Sequence, residues 1–214
     1  MRVIAALNTS FEAPALGIGR DGELLATACA PGWPADLADL VTRAFSEAGL
    51  ALDGVVVATG PGRFGSLRGG IAFAKGLALA RRVPLLGVPT AAAVAEAAGA
   101  DDVSVVTPAG RGRWYVATTV EADEIQLVAA DDVAQAVAGD VPVAGPLDAD
   151  LVRALEAGGR QVRRVDGEAL LGALMRLASQ RLESGSGAAT PGARPVYAAP
   201  ATRARQWVRG IPHG

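Results

Sequence analysis

The chain has 214 residues, 50% of them hydrophobic, and a formal net charge of −2. This length and composition predict a folded chain with a substantial core and exclude a disordered protein, and the near-neutral charge excludes a globally basic nucleic-acid binder. The single cysteine, Cys29, and the single histidine, His213, exclude an internal disulfide, a cysteine zinc cluster and a paired-histidine metal centre. No hydrophobic run has the length of a membrane span or a signal-peptide core, so we expect a cytoplasmic protein.

The first hundred residues predict three strands followed by alternating helices and strands. The opening strand leads into a hairpin that turns at Asp21-Gly22, a dipeptide typical of tight β-turns. A single apolar stripe with helical spacing then predicts a helix that ends at Gly49. The predicted strands are 2–7, 14–19, 23–29, 54–59 and 83–88, and the predicted helices are 35–48, 67–81 and 90–98.

The second half of the sequence repeats this order of elements. Its predicted strands are 103–107, 114–120, 125–129, 141–144 and 161–165, and its predicted helices are 132–138, 147–157 and 168–183. Strands that alternate with helices predict parallel sheet segments covered by helices. The repeat therefore predicts an α/β protein with two βββαβα lobes, residues 1–100 and 101–214, in an actin-like, ribonuclease-H-like arrangement. The second lobe includes a C-terminal tail whose arginines could contact a nucleic-acid backbone or form a solvated surface: Arg194, Arg203, Arg205 and Arg209.

The most informative segment is the glycine-rich loop 60–65, which lies between a predicted strand and a predicted helix. Its sequence matches the G-x-G-x-x-G spacing of dinucleotide-binding loops, and the following helix N-terminus could bind an anion. A dinucleotide site also needs an acid at the tip of the next strand, and that strand ends at residues 87–90 without a carboxylate. We therefore interpret the loop as a tight turn that orients the helix, with a phosphate site as the alternative.

Three segments resemble the TsaB family, also called YeaZ: Ile4-Ala5-Ala6-Leu7-Asn8-Thr9-Ser10, the loop and helix from Gly60 to Arg68 with Ala74-Lys75-Gly76-Leu77-Ala78, and the strand 83–88. The resemblance implies an actin-like fold and a role in making threonylcarbamoyladenosine in bacterial tRNAs that read codons beginning with A. It also implies a non-catalytic scaffold without a cofactor or metal of its own. Such a scaffold pairs with a homologous catalytic subunit (TsaD), which binds metal through histidines, and with an ATP-binding subunit (TsaE). It could form a homodimer when alone, and it would meet tRNA only through the complex.

The same resemblance implies no catalytic residue in this chain and draws attention to the loop at the helix N-terminus: Gly60, Pro61, Gly62, Phe64, Leu67 and Arg68. Two positions depart from the family pattern. Asn8 replaces the usual aspartate, and Arg63 with Gly65-Ser66 replaces the usual Ser, Thr and Gly. The alternative function is a nucleotide-dependent transferase or kinase of the same fold. It would need carboxylates at strand tips to hold magnesium, and Asn8 and Thr59 stand there instead.

Two helices are candidate partner surfaces. The stripe on helix 35–48 is compatible with core packing and with a partner surface: Leu37, Leu40, Val41, Ala44 and Phe45. On helix 67–81, Ala72, Gly76 and Ala80 recur every four residues and predict a flat strip, which could pack on the chain's own sheet or on another helix. Glycine inside a helix costs roughly 1 kcal/mol relative to alanine, so Gly76 needs a packing reason. The resemblance implies that these two helices meet the equivalent helices of the partner.

Overall fold

The computed structural model describes residues 2–48, 51–100, 102–118, 125–137 and 139–184. These residues form two five-stranded sheets and six α-helices. None of the described helices is both long and apolar enough to cross a bilayer. His213 and the C-terminal arginines lie outside the described residues.

The first sheet has the strand order β3-β2-β1-β4-β5. Its strands are β1 (Val3–Asn8), β2 (Ala15–Arg20), β3 (Glu23–Cys29), β4 (Gly54–Ala58) and β5 (Leu85–Val88). Strands β1 to β3 pair antiparallel, whereas β4 pairs parallel with both β1 and β5. The predicted hairpin is confirmed, since Asp21 and Gly22 adopt φ angles of 51° and 90° in the turn between β2 and β3.

The second sheet repeats this topology, with the strand order β10-β9-β6-β7-β8. Its strands are β6 (Ser104–Gly110), β7 (Arg113–Ala117), β8 (Ile125–Ala129), β9 (Val143–Gly145) and β10 (Val162–Arg164). In both sheets the first strand lies at the centre, with an antiparallel hairpin on one side and two parallel strands on the other. The predicted duplication is thus confirmed.

One boundary in the second sheet differs from the prediction. The sequence predicts a turn over 108–113, but β6 continues to Gly110 and only Arg111-Gly112 form the turn. Pro108 is accommodated because the pairing register between β6 and β7 shifts between Pro108 and Gly110. A proline, which has no backbone N–H to donate, is tolerated in a strand at such an irregularity.

The helices are α1 (Leu37–Ala48), α2 (Phe64–Arg81), α3 (Thr90–Ala98), α4 (Val133–Ala136), α5 (Ala149–Ala157) and α6 (Gly167–Glu183). Helix α2 begins three residues before the predicted start, because Ser66 Oγ and Leu67 N both donate to Arg63 O and close its first turn. Helix α4 is shorter than the predicted 132–138, since Asp132 belongs to a preceding 3-10 turn and Val137 is already extended, with φ −73° and ψ 142°. Asp148 and Asp166 cap α5 and α6 by accepting from Leu151 N and Ala169 N, each at 2.8 Å.

The two halves of the chain exchange their last helices. Helix α3 follows the first sheet in sequence but packs on β6 and β9 of the second sheet, and α6 packs on all five strands of the first sheet. The two helices also pack on each other, so one hydrophobic core lies between the sheets. Arg176 Nε donates to Glu96 Oε1 at 2.7 Å across this helix pair, and Arg181 Nη1 donates to Gly87 O at 3.0 Å. The lobes are therefore joined by packing as well as by the chain.

Helices α1 and α2 cover the other face of the first sheet. Leu40, Ala44, Ile71 and Ala74 belong to a second hydrophobic core beneath them. The opposite surface of these helices has no further layer above it among the described residues, which places it on the outside of the chain.

Candidate functional site

The loops that follow β1 and β4 lie side by side, because these parallel strands are neighbours and end at the same edge of the sheet. Asn8 ends β1 and is fully buried. Its Oδ1 accepts from Ser10 N at 2.9 Å and from Ser10 Oγ at 2.6 Å. The side chain thus holds its own turn, as asparagine does in turns that follow a strand.

The glycine-rich loop closes directly over this turn. A Cβ at Gly62 would lie 2.8 Å from both Cα and Cβ of Ser10, closer than real side chains approach. Gly60 is fastened to the start of α3, since Gly60 N donates to Thr90 Oγ1 at 3.0 Å and Thr90 N donates to Gly60 O at 2.7 Å. The loop after β4 is therefore in close backbone contact with the turn after β1 and fastened to the start of α3.

Behind the loops, Thr9 packs against α2. A Cβ at Gly70 would lie 2.7 Å from Thr9 Cγ2 and 2.9 Å from Thr9 Cβ. Thr9 Oγ1 and Asn8 Nδ2 are buried without a hydrogen-bond partner in the described part of the chain. A carboxylate in place of Asn8 would be enclosed in the same way, which is costly for a charged group.

Beside the loops, the N-terminus of α2 opens into a groove between the two sheets. The first turn of α2 has no acidic residue and no side-chain cap. Arg63, Arg111 and Arg113 line this groove, which has a volume of about 420 Å³, and a neighbouring cavity of about 360 Å³ shares the same three arginines. The sequence analysis did not identify this groove, because it left residues 108–113 as a connection between two predicted strands. The pattern that could have indicated it is the alternation of glycine and arginine in Gly110-Arg111-Gly112-Arg113.

A larger cavity of about 670 Å³ lies on another side of the cleft, between the loop after β1 and the start of α6. Cys29, Glu12 and Glu168 are among its lining residues. Burial raises the pKa of the Cys29 thiol above its ordinary value, and Glu168 adds to the effect. A raised pKa lowers the thiolate fraction, so this cysteine is a poor nucleophile. Within the described ranges, no three of the His, Cys, Asp and Glu side chains are grouped so that they could hold a metal ion.

The outer face of α2 carries the predicted strip of small residues. Ala72, Gly76 and Ala80 are exposed, and a Cβ at Gly76 would meet nothing within 4 Å. Leu79, beside them, is 81% exposed. Of the two orientations that the sequence left open, the structure shows the outward one.

The other sequence-predicted residues are divided between core and surface. On α1, Leu37, Leu40 and Ala44 are buried within the chain, and Val41 and Phe45 are half-buried at its outer edge. Arg81 lies 4.8 Å from the centre of the Phe45 ring, which links the outer edges of α1 and α2. In the loop region, Leu67 is buried, whereas Phe64 is 56% exposed with Arg68 at 5.1 Å from its ring centre.

Comparison with solved structures identifies the class of fold. The solved structure of YeaZ from Pseudomonas aeruginosa superposes with a TM-score of 0.66 and 25% identity over 92% of this chain and 100% of that one. The ethanolamine utilization protein EutJ from Carboxydothermus hydrogenoformans, at 15% identity over 82% of this chain and 89% of that one, has a TM-score of 0.55 and shares the fold alone. The two lobes thus form an actin-like, YeaZ (TsaB)-like fold.

Sequence comparison then gives the family. The family model described as TsaD, tRNA N6-adenosine threonylcarbamoyltransferase, matches residues 33–150, more than half of the chain. The chain belongs to this family. A tRNA N6-adenosine threonylcarbamoyltransferase from Trichlorobacter lovleyi is 32% identical over 40% of this chain. That match spans about a third of the relative, 32% of its length, so the chain corresponds to only part of it.

Proposed function

We propose that this chain is a non-catalytic scaffold subunit in the threonylcarbamoyl modification of tRNA. It binds a homologous catalytic subunit through the outer face of α2 and the adjoining edge of α1. The observation that carries the proposal is the exposed apolar surface of these helices, in a chain that belongs to the threonylcarbamoyltransferase family and has the YeaZ-like fold.

The side chain at the tip of β1 supports a non-catalytic role. A transferase or kinase of this fold needs carboxylates at strand tips to hold magnesium. Asn8 provides a neutral side chain there, already bonded within its own turn. We therefore place the transferase or kinase alternative below the scaffold role.

The helix surface supports a protein partner. Gly76 lowers the intrinsic stability of α2 by about 1 kcal/mol relative to alanine, and nothing within the described chain packs against it. The absence of a side chain there allows the backbone of another helix to approach closely. Leu79, with Val41 and Phe45, supplies apolar area around this point of approach.

The proposed partners follow from this surface and from the family. The first is a TsaD-like catalytic subunit, which has the same fold and can present an equivalent pair of helices. A TsaE-like ATP-binding subunit joins the assembled pair. In the absence of the catalytic subunit, the same surface allows two copies of this chain to associate.

The experiment is co-purification of the full chain with the TsaD-like protein of the same cells, followed by a tRNA modification assay. We expect the isolated chain to transfer no threonylcarbamoyl group. We expect Gly76→Arg and Leu79→Asp to abolish association and the activity that depends on it, because each places a charge in an apolar contact. Both variants should remain folded by circular dichroism, since both positions are exposed.

Two matched controls separate a specific surface from a general effect. Gly139→Arg introduces an arginine at another glycine with free space around it, and Leu25→Asp introduces a carboxylate at another exposed leucine. Both controls should associate normally. Normal association of folded Gly76→Arg and Leu79→Asp would exclude the α1–α2 surface, and threonylcarbamoyl transfer by the isolated chain would exclude the scaffold role.

A further inference from the structure

The groove beside the start of α2 combines positive charge with aromatic surface. Arg63 lies on the α2 side, and Arg111 and Arg113 lie on the turn between β6 and β7. Phe64 and Tyr115 line the same groove, and none of its described lining residues is acidic. The Phe64 side chain is 56% exposed and Tyr115 is half-buried. Arginines beside accessible aromatic rings are typical of surfaces that bind phosphates and stack bases.

Two of these arginines have little local compensation. Arg111 and Arg113 are exposed, and the one described contact of the Arg113 side chain is donation from Nη2 to Leu127 O at 3.2 Å. Arg63 lies 3.8 Å from Glu12, whose side chain is 80% exposed, so this pair is solvent-screened and weak. Asp148, in the adjoining cavity, is occupied as the cap of α5. The groove therefore has a positive local potential although the whole chain is slightly acidic.

We propose that this arginine groove binds the phosphodiester backbone of an RNA strand, with Phe64 and Tyr115 beside it as surfaces for base stacking. The proposal rests on the proposed function for the identity of the RNA, which is tRNA. A free nucleotide is the less suitable ligand, because the three arginines line two adjoining cavities rather than one enclosed pocket. The open groove and the cavity that adjoins it around the Gly110–Arg113 turn form a continuous basic surface, which suits an extended polyanion.

The test measures binding of a fluorescein-labelled tRNA transcript by anisotropy between 50 and 200 mM KCl. It uses the full chain and its complex with the catalytic subunit. Arg111→Ala/Arg113→Ala should weaken tRNA binding about tenfold at the lower salt. It should also reduce the slope of log Kd against log salt by about 1.4–1.8, because each phosphate contact contributes roughly 0.7–0.9. The charge-matched control Arg2→Ala/Arg153→Ala removes two exposed arginines that line neither cavity and should leave both quantities close to the wild type.

The outcomes are distinguishable. An equal loss in the two double variants, or unchanged tRNA affinity in the groove variant, would overturn the proposal. AMP and inorganic phosphate form a second arm: arginine-dependent binding of either, with unchanged tRNA binding, would assign the groove to a small phosphate ligand and overturn the RNA assignment. Co-purification is measured in parallel, since groove variants should still associate with the catalytic subunit. If the wild-type chain fails to associate, the proposed function fails, whereas tRNA binding by the chain alone still tests the groove.

Discussion

The two faces of α2 use glycine for opposite purposes. On the inner face, Gly70 allows Thr9 to pack against the helix backbone. Gly69 lies seven residues before Gly76, on the same side of the helix, and accommodates the ring of Trp33. On the outer face, Gly76 meets nothing within 4 Å. One helix thus contains glycines with a visible packing partner and a glycine without one. The difference teaches that Gly69 and Gly70 are explained by contacts within the fold, whereas no contact among the described residues explains Gly76.

The largest effect is expected for Gly70→Ala. The new Cβ would overlap the side chain of Thr9, a stiff β-branched residue that is buried between β1 and α2. We expect the free energy of unfolding to fall by about 1–3 kcal/mol, the usual cost of overpacking a core, despite the better helix propensity of alanine. Urea unfolding monitored by circular dichroism measures this change.

The double variant Thr9→Ala/Gly70→Ala serves as the control for this contact. It removes the two nearer groups that the new methyl would overlap, the Thr9 Cγ2 methyl and a buried hydroxyl that has no partner in the described structure, and leaves only Cβ, at 2.9 Å. It should be more stable than Gly70→Ala alone. Equal stability of the two variants would show that the inner face is not set by the Thr9 contact.

A smaller effect of opposite sign is expected for Gly76→Ala. The added methyl enters open space, so the helix gains about 0.8–1 kcal/mol of propensity without a clash. The midpoint of urea unfolding should therefore rise in the isolated chain. A decrease in stability would mean that Gly76 has a packing role inside this chain, and it would remove the main contrast between the two faces.

Local patterns in the sequence predicted the helices and strands. They did not predict which side of α2 faces outward or that α3 and α6 each pack on the sheet of the other half. The stripe on α1 is strongly amphipathic, and Asp21-Gly22 is a specific turn signal, so both elements were predicted close to their observed bounds. Helix α2 has apolar or small residues on both faces, so its periodicity could not show whether Gly76 faced the core or the outside. The exchange of α3 and α6 depends on contacts between residues far apart in sequence, such as Arg176 with Glu96, which no local pattern records.

The candidate sites show the same limit. The Asn8 turn is a local feature, because its two hydrogen bonds join residues two positions apart. The closure of the Gly60 loop over Ser10 and the assembly of the arginine groove were not predicted, since both bring together segments that are distant in the chain. Charge counted along the sequence gives a slightly acidic protein, whereas the fold gathers Arg63 with Arg111 and Arg113 in one place.

The smallest effect is expected for Gly69→Ala. The space around Gly69 is intermediate between the crowded site at Gly70 and the open site at Gly76. A Cβ there would lie 2.5 Å from Cη2 and 2.7 Å from Cζ2 of Trp33, atoms at the far end of a half-buried side chain. The ring can move away by a small rotation, so the strain should nearly cancel the propensity gain of about 1 kcal/mol. We expect the free energy of unfolding to change by no more than about 0.5 kcal/mol, with a shift in tryptophan fluorescence that Gly76→Ala does not produce. A loss as large as that of Gly70→Ala would show that the Trp33 ring is held rigidly against the start of α2.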